Sequence, residues 1–190
     1  MIEQLKLKNW KDVEADIMDS QDLKYEDGLF THSFTSMGIF LLPDAEKGAK
    51  EIYRTLQKDG VAVLSSIKKV GWVQLFQTAQ KEAKPDAPLW NGPLAEEWST
   101  LEKLQSVILS GGFEKDNIRI ESCSATMDSA ALGMFMNDFT RERMVALATQ
   151  GWSQEETERF KVVLAKELKK AVEKPYSLEV DTWIAVAKKR

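Results

Sequence analysis

One histidine and one cysteine occur in the 190 residues, and each scarcity removes a class of chemistry. A single chain with His32 alone cannot assemble a zinc site from several histidines, and Cys123 alone cannot close an intrachain disulfide. A lone thiol fits a reducing compartment, with a buried, inert cysteine as the expectation for Cys123. No apolar run approaches the length of a membrane span, and the opening MIEQLKLKNW lacks the apolar core of a secretory leader. A cytoplasmic protein with no membrane partner is expected. Neither sign of charge dominates: 26 basic residues face 30 acidic ones, a formal net charge of -4. Lys166, Lys169, Lys170 and Lys174 alternate with Glu167 and Glu173, so no basic stripe is available for a phosphate backbone and no nucleic-acid partner is expected. Internal repeats and low-complexity tracts are absent.

What is present is organised around Leu29 to Ile67. A short apolar run is followed by Pro43-Asp44, a helix start, and by Ala49, Ile52, Tyr53 and Leu56 at helical spacing. Lys58-Asp59-Gly60 predicts the turn that ends this helix, and Val61 to Leu64 a strand covered on both faces. Strand, helix and strand make a βαβ unit and imply a parallel sheet. Upstream, Met1 to Leu7 reads as a short helical turn and Val13 to Met18 as a strand. Downstream, Gly71 to Lys84 is an amphipathic helix carrying Trp72 and Phe76. Pro85, Pro88 and Pro93 break regular structure in a lid-like segment, 85–112, whose helix would be capped by Ser99 with Glu102 and stopped by Gly111-Gly112. Asn117 to Cys123 predicts a strand. A helical layer over 127–174 follows, with Met134, Met136 and Met144, a capping box at Ser153 and Glu156, and Pro175 as its end. Asp138, Arg141 and Glu142 carry only a weak signal for a pocket. Leu178 to Ala187 predicts a last strand, and Lys188-Lys189-Arg190 a solvated tail.

Several of these segments together resemble the Rossmann-like methyltransferases that use S-adenosylmethionine, particularly those of small-molecule secondary metabolism. Met18-Asp19-Ser20-Gln21-Asp22-Leu23 with Tyr25-Glu26-Asp27 is similar to the segment after that family's third strand, and Leu29 to Phe34 to its fourth strand. Glu51 to Gly60 is similar to the helix and turn before the fifth. The similarity is densest from Asp12 to Ile67 and continues as an order of elements through Trp90 to Gly112 and Trp183 to Ala187. It implies an α/β fold with the sheet order third, second, first, fourth, fifth, seventh, sixth. It also implies that Asp19 is the acid that accepts from the adenine amino group. The family's glycine-rich first loop and the ribose-gripping acid have no counterpart, and Thr31 stands where the fourth strand usually has an acid. Met1 to Gln4 instead resembles the helix after the second strand. The expectation is thus a single, N-terminally truncated methyltransferase-like domain over 1–190, a partial sheet lacking the first two strands.

Two consequences follow. The edge of the fourth strand would be bare, so either Val13 to Met18 slides across to pair with it or a second chain covers it, as a homodimer or as a complex with a methyltransferase-like subunit. The donor site would be reduced to a vestigial Asp19, equally read as a surface acid capping its loop, leaving no cofactor unless a partner completes the site. The acceptor side is richer. The resemblance places His32, Ser33, Phe34, Ser36, Met37, Phe40, Trp72, Trp90 and Trp98 at an apolar ligand; a core contact with Phe76 is the alternative reading of Trp72. His32, with Ser36, is the acid/base candidate because its pKa is ordinarily near neutrality; a satisfied strand histidine is the alternative. Three functions remain open: a methyltransferase-like protein that binds an apolar metabolite and promotes cofactor-independent cyclisation or isomerisation, a subunit of a methyltransferase, and a non-catalytic binding or scaffold protein.

Overall fold

The computed structural model describes residues 2–8, 10–93, 95–135, 137–173 and 178–190. Met1, Met136, Lys174 and Pro175, which carried expectations above, lie outside them. The order of elements is α1 (Ile2–Leu7), β1 (Phe30–Thr35), α2 (Ala45–Thr55), β2 (Leu56–Val70), α3 (Val73–Ala83), α4 (Leu101–Ser110), β3 (Ile118–Met127), α5 (Ser129–Phe135), α6 (Asp138–Ala148), α7 (Gln154–Glu173) and β4 (Leu178–Lys188). Among the described residues the strands form one four-stranded sheet in the order β1-β2-β4-β3. In the numbering of the resembling family this is fourth, fifth, seventh, sixth. β1 and β2 are parallel and joined through α2, the expected βαβ unit.

Contacts divide the chain into two compact units. The first comprises 1–64, 105–119 and 185–190, the second 65–104 and 120–184. In the first, Asp44 caps α2 by accepting from the Lys47 amide at 3.0 Å, and the helix turns Ala49 and Ile52 inward. Gly111 approaches Ala49 so closely that a Cβ would stand 2.8 Å from the Ala49 carbonyl oxygen. Tyr53 packs edge-on against Phe113. In the second, Trp72, Phe76, Trp90, Phe160 and Trp152 form a continuous aromatic chain between α3 and α7. Ser153 and Glu156 close the predicted capping box on α7 with bonds of 2.8 and 3.2 Å.

Several sequence expectations are corrected. Val13 to Met18 is not a strand: Val13 and Ile17 stay exposed, and without a neighbouring strand the segment has no ladder to join. It does not slide across to pair with β1, whose outer edge has no strand partner among the described residues. Lys58 to Gly60 is no turn. The helix already ends at Thr55, and the three residues form an irregularity within β2, where the register jumps between Phe30↔Leu56 and His32↔Val61 and Asp59 takes φ +64°. Thr100, not Ser99, caps α4, accepting from the Lys103 amide at 3.2 Å. Cys123 is exposed. The C-terminal lysines are not all solvated: Lys189 Nζ donates to the carbonyls of Leu56 (2.7 Å), Tyr53 (2.8 Å) and Arg54 (3.4 Å) and lies over the Tyr53 ring. A cation there satisfies carbonyls that the end of α2 leaves open.

Replacing Lys189 with methionine keeps its apolar stem but orphans those carbonyls. The expected loss is about 1–2 kcal/mol of stability, read from the urea midpoint, with Lys188→Met, at an exposed ion pair with Asp59, nearly silent.

Candidate functional site

In open α/β sheets, ligands gather beyond the carboxyl ends of the strands. At the end of β2, in the second unit, an aromatic cleft opens. Ile67, Lys68, Lys69 and Val70 of β2 form one side, Trp72, Val73, Gln74 and Gln77 of the α3 region another, and Asn91 to Pro93 with Ala95, Glu96, Trp98 and Ser99 the third. Its volume is about 360 Å³, in the range of small-molecule sites.

The walls are fixed by buried polar contacts. Ser66 Oγ, fully buried, donates to the Trp98 carbonyl at 3.2 Å, and Trp183 Nε1 donates to the Ser99 carbonyl at 2.8 Å. Together they tie the short 3-10 turn Glu96–Ser99 to β2 and β4. The proline-broken segment is likewise held rather than loose. Gln80, buried, accepts from the Trp90 amide at 2.8 Å and donates to the Ala148 carbonyl at 3.1 Å, while Gln77 donates to the Trp90 carbonyl and to Asn91 Oδ1, each at 3.2 Å. Trp90 thereby turns its ring onto Phe76 (centroids 5.1 Å apart) and Trp72 (6.0 Å), behind the cleft.

Of the residues singled out from sequence, Trp72 and Trp98 meet at this cleft and are nearly buried; Trp90 backs it without lining it. The others belong to the first unit. Ser33 lines a separate cavity of about 190 Å³ with Leu23, Ile39 and Ile52. His32 and Phe34 point to the opposite, open face of β1, as strand alternation requires. Their rings stack at 6.5 Å, Phe34 is 75% exposed, and His32 Nδ1 lies 3.1 Å from Thr31 Oγ1. Ser36 is exposed just past β1; Met37, with φ +51°, and Phe40 are half-buried. Sequence reasoning missed Lys68, Gln74, Gln77, Asn91 and the anchors Ser66, Gln80 and Trp183. For Ser66 and Gln80, a small or amide side chain set within an otherwise apolar strand or helix pattern is the signal that could have found them.

Asp19 sits in a tightly held loop. Its Oδ1 accepts from the Gln21 amide (2.9 Å) and Gln21 Nε2 (3.1 Å), contacts that keep its carboxyl below the usual range, the backbone bond foremost. Gln21 Oε1 in turn accepts from the Asp44 amide at 2.8 Å. Arg54 reaches from α2 to the Leu23 and Tyr25 carbonyls and to Asp27 and Glu51, and Glu51 accepts from the Leu23 amide at 2.8 Å. The loop is thus stapled to α2 by one guanidinium and one carboxylate. Among the described residues no group of His, Cys, Asp and Glu is arranged to hold a metal, and no helix is long and apolar enough to cross a membrane.

Comparison with solved structures agrees with this arrangement. The YcgJ protein of Bacillus subtilis superposes with a TM-score of 0.52 over 99% of this chain and 76% of its own, at 13% identity. A candidate methyltransferase of Bacillus halodurans C-125 gives 0.50 over 98% and 76%, at 15% identity. In sequence, methyltransferase tpcH of Aspergillus fumigatus is 21% identical over 92% of this chain. The fold is methyltransferase-like, of Rossmann type. No protein-family model matches the sequence. The chain spans 62% of the length of the Aspergillus relative.

The Arg54 hydrogen bond, then the Leu23 amide, holds the Glu51 carboxyl below its ordinary value, against the opposing effect of its partial burial. A depressed acid contributes stability above its ordinary pKa and loses it as pH falls through the lowered, folded value. The protection factors of the amides in 19–28, taken relative to intrinsic exchange at each pH, are therefore expected to fall as pH drops through the lowered Glu51 value, and Glu51→Gln to flatten that dependence.

Proposed function

We propose that this chain is a methyltransferase-like protein that binds an apolar small molecule in the Trp72–Trp98 cleft and promotes a cofactor-independent cyclisation or isomerisation of it. The observation that carries the reading is the contrast between two ends of the molecule's equipment. The acceptor-type cleft has rigid aromatic walls, an anchored rim and several fixed polar groups. The donor side offers one relevant acid, Asp19, with Oδ1 already engaged by Gln21 and no glycine-rich loop to accompany it. In this reading Asp19 is a single remnant contact and methyl donation is not the reaction of the cleft. An intramolecular rearrangement adds and removes no atoms overall, so it asks only for a ligand held in one reactive conformation and screened from water. Trp72, Trp98, Ile67, Val70 and Val73 supply the apolar surface for this. On the resemblance alone, Ser33, Phe34, Met37 and Phe40 remain proposed ligand contacts of the first unit, with His32 and Ser36 as its proposed proton-handling groups.

A second reading rests on the bare edge of β1. Phe34, on β1, is strongly exposed, and a strand edge without a partner among the described residues is what another polypeptide can pair with. In that reading a second copy or a methyltransferase-like subunit extends the sheet, and S-adenosylmethionine is bound with the partner's help.

Calorimetry with S-adenosylmethionine separates the two. The chain alone is expected to give no measurable binding at any oligomeric state, while uncharged aromatic compounds quench its tryptophan fluorescence. Binding of S-adenosylmethionine by the chain alone, abolished by Asp19→Ala, defeats the first reading. Sedimentation of wild type against Phe34→Lys tests the edge: a dimer that the lysine disperses supports pairing through β1.

A further inference from the structure

The cleft is not uniformly apolar, and its charge is unevenly spent. Lys69 is exposed and has Glu179 at 4.0 Å, and Glu96 stands exposed on the rim. Lys68 differs from both. It is half-buried, it lines the cleft, and its Nζ lies 4.4 Å above the Trp183 ring. Among the described residues no carboxylate comes within ion-pairing distance of it. An aromatic face favours a cation but does not neutralise it, and it leaves the ammonium's hydrogen-bonding capacity open. Trp183 is itself fixed by its bond to the Ser99 carbonyl, so the platform under Lys68 belongs to the same rigid rim that shapes the cleft. Around it, Gln74, Gln77 and Asn91 bring further polar groups to the same wall.

We infer that the ligand of this cleft is a flat apolar monoanion, an aromatic body bearing a carboxylate or sulfonate, with Lys68 as its counter-ion. The aromatic part lies against Trp72 and Trp98, and the acidic group pairs with Lys68 Nζ on the β2 side. A half-buried ammonium with no carboxylate partner among the described residues gains more from such a pair than a fully solvated lysine does. This assignment rests on the small-molecule reading above and narrows it.

The test uses two dyes of nearly the same shape, anilinonaphthalene sulfonate and its uncharged parent N-phenylnaphthylamine, titrated against the full chain by fluorescence. The sulfonate is expected to bind about tenfold more tightly, the weight of one charge-assisted hydrogen bond. Lys68→Met is expected to remove that preference without weakening the uncharged dye, Lys68→Arg to retain it, and Lys81→Met, at an exposed lysine outside the cleft, to leave it unchanged. Equal affinity for both dyes, or a preference that survives Lys68→Met, overturns the counter-ion assignment and leaves the small-molecule reading standing. Binding of both dyes that is indifferent to Ala95→Trp, which fills the mouth of the cleft, overturns both.

Discussion

A long interior strand must find backbone partners along its whole length, and β2, Leu56 to Val70, imposes that requirement on the rest of the fold. β1 answers it on one side, but its register ends at Thr35↔Leu64. Beyond that point β2 continues to Val70, and its last residues become a wall of the cleft instead of the middle of a ladder. On its other side runs β4, which returns so late in the sequence that the fold cannot close until almost the whole chain has been laid down. The Lys189 contacts with the end of α2, and the Gly71 amide donating to the Glu179 carbonyl at 2.8 Å, are made by the two ends of that returning strand.

The cleft follows from the same geometry. Six tryptophans are a large share of rigid apolar surface, but rigidity at the site comes from polar atoms. Ser66, Gln80 and Trp183 each place a donor or acceptor where an irregular segment would otherwise leave a backbone group unsatisfied. Burying such groups is costly unless they are paired, so these side chains fix where the rim turns and which rings face the cavity. Trp90 is held against Phe76 by the bond to its own backbone amide, and the cavity is left to Trp72 and Trp98.

The first unit has the opposite character on its open side. His32 and Phe34 share the face of β1 that carries no covering layer among the described residues, while Ser33 and Thr35 face a small cavity with Ile39 and Ile52. The loop after Asp19 keeps its form through Arg54 and Glu51, both of which belong to α2. Asp19, the acid to which the resemblance assigns adenine recognition, is thus held in an ordered loop.

Sequence alone determined much of this. The Pro43-Asp44 start, the Ser153–Glu156 box and the apolar stripes of α3 and α7 are local features, readable because capping and periodicity act over a few residues. The strand order was legible only through resemblance, since no local pattern says which strands are neighbours. Three things were decided by tertiary structure. Val13 to Met18 has the alternation of a strand and pairs with no strand among the described residues; Asp59-Gly60 has the composition of a turn and is carried inside β2, where the register shifts between Phe30 and His32. Lys189 belongs to a tail by composition and to a helix cap by position. The pairing of Lys68 with Trp183 is of the same kind, joining residues far apart in the chain. Spacing cannot encode such contacts, because they exist only once distant strands lie side by side.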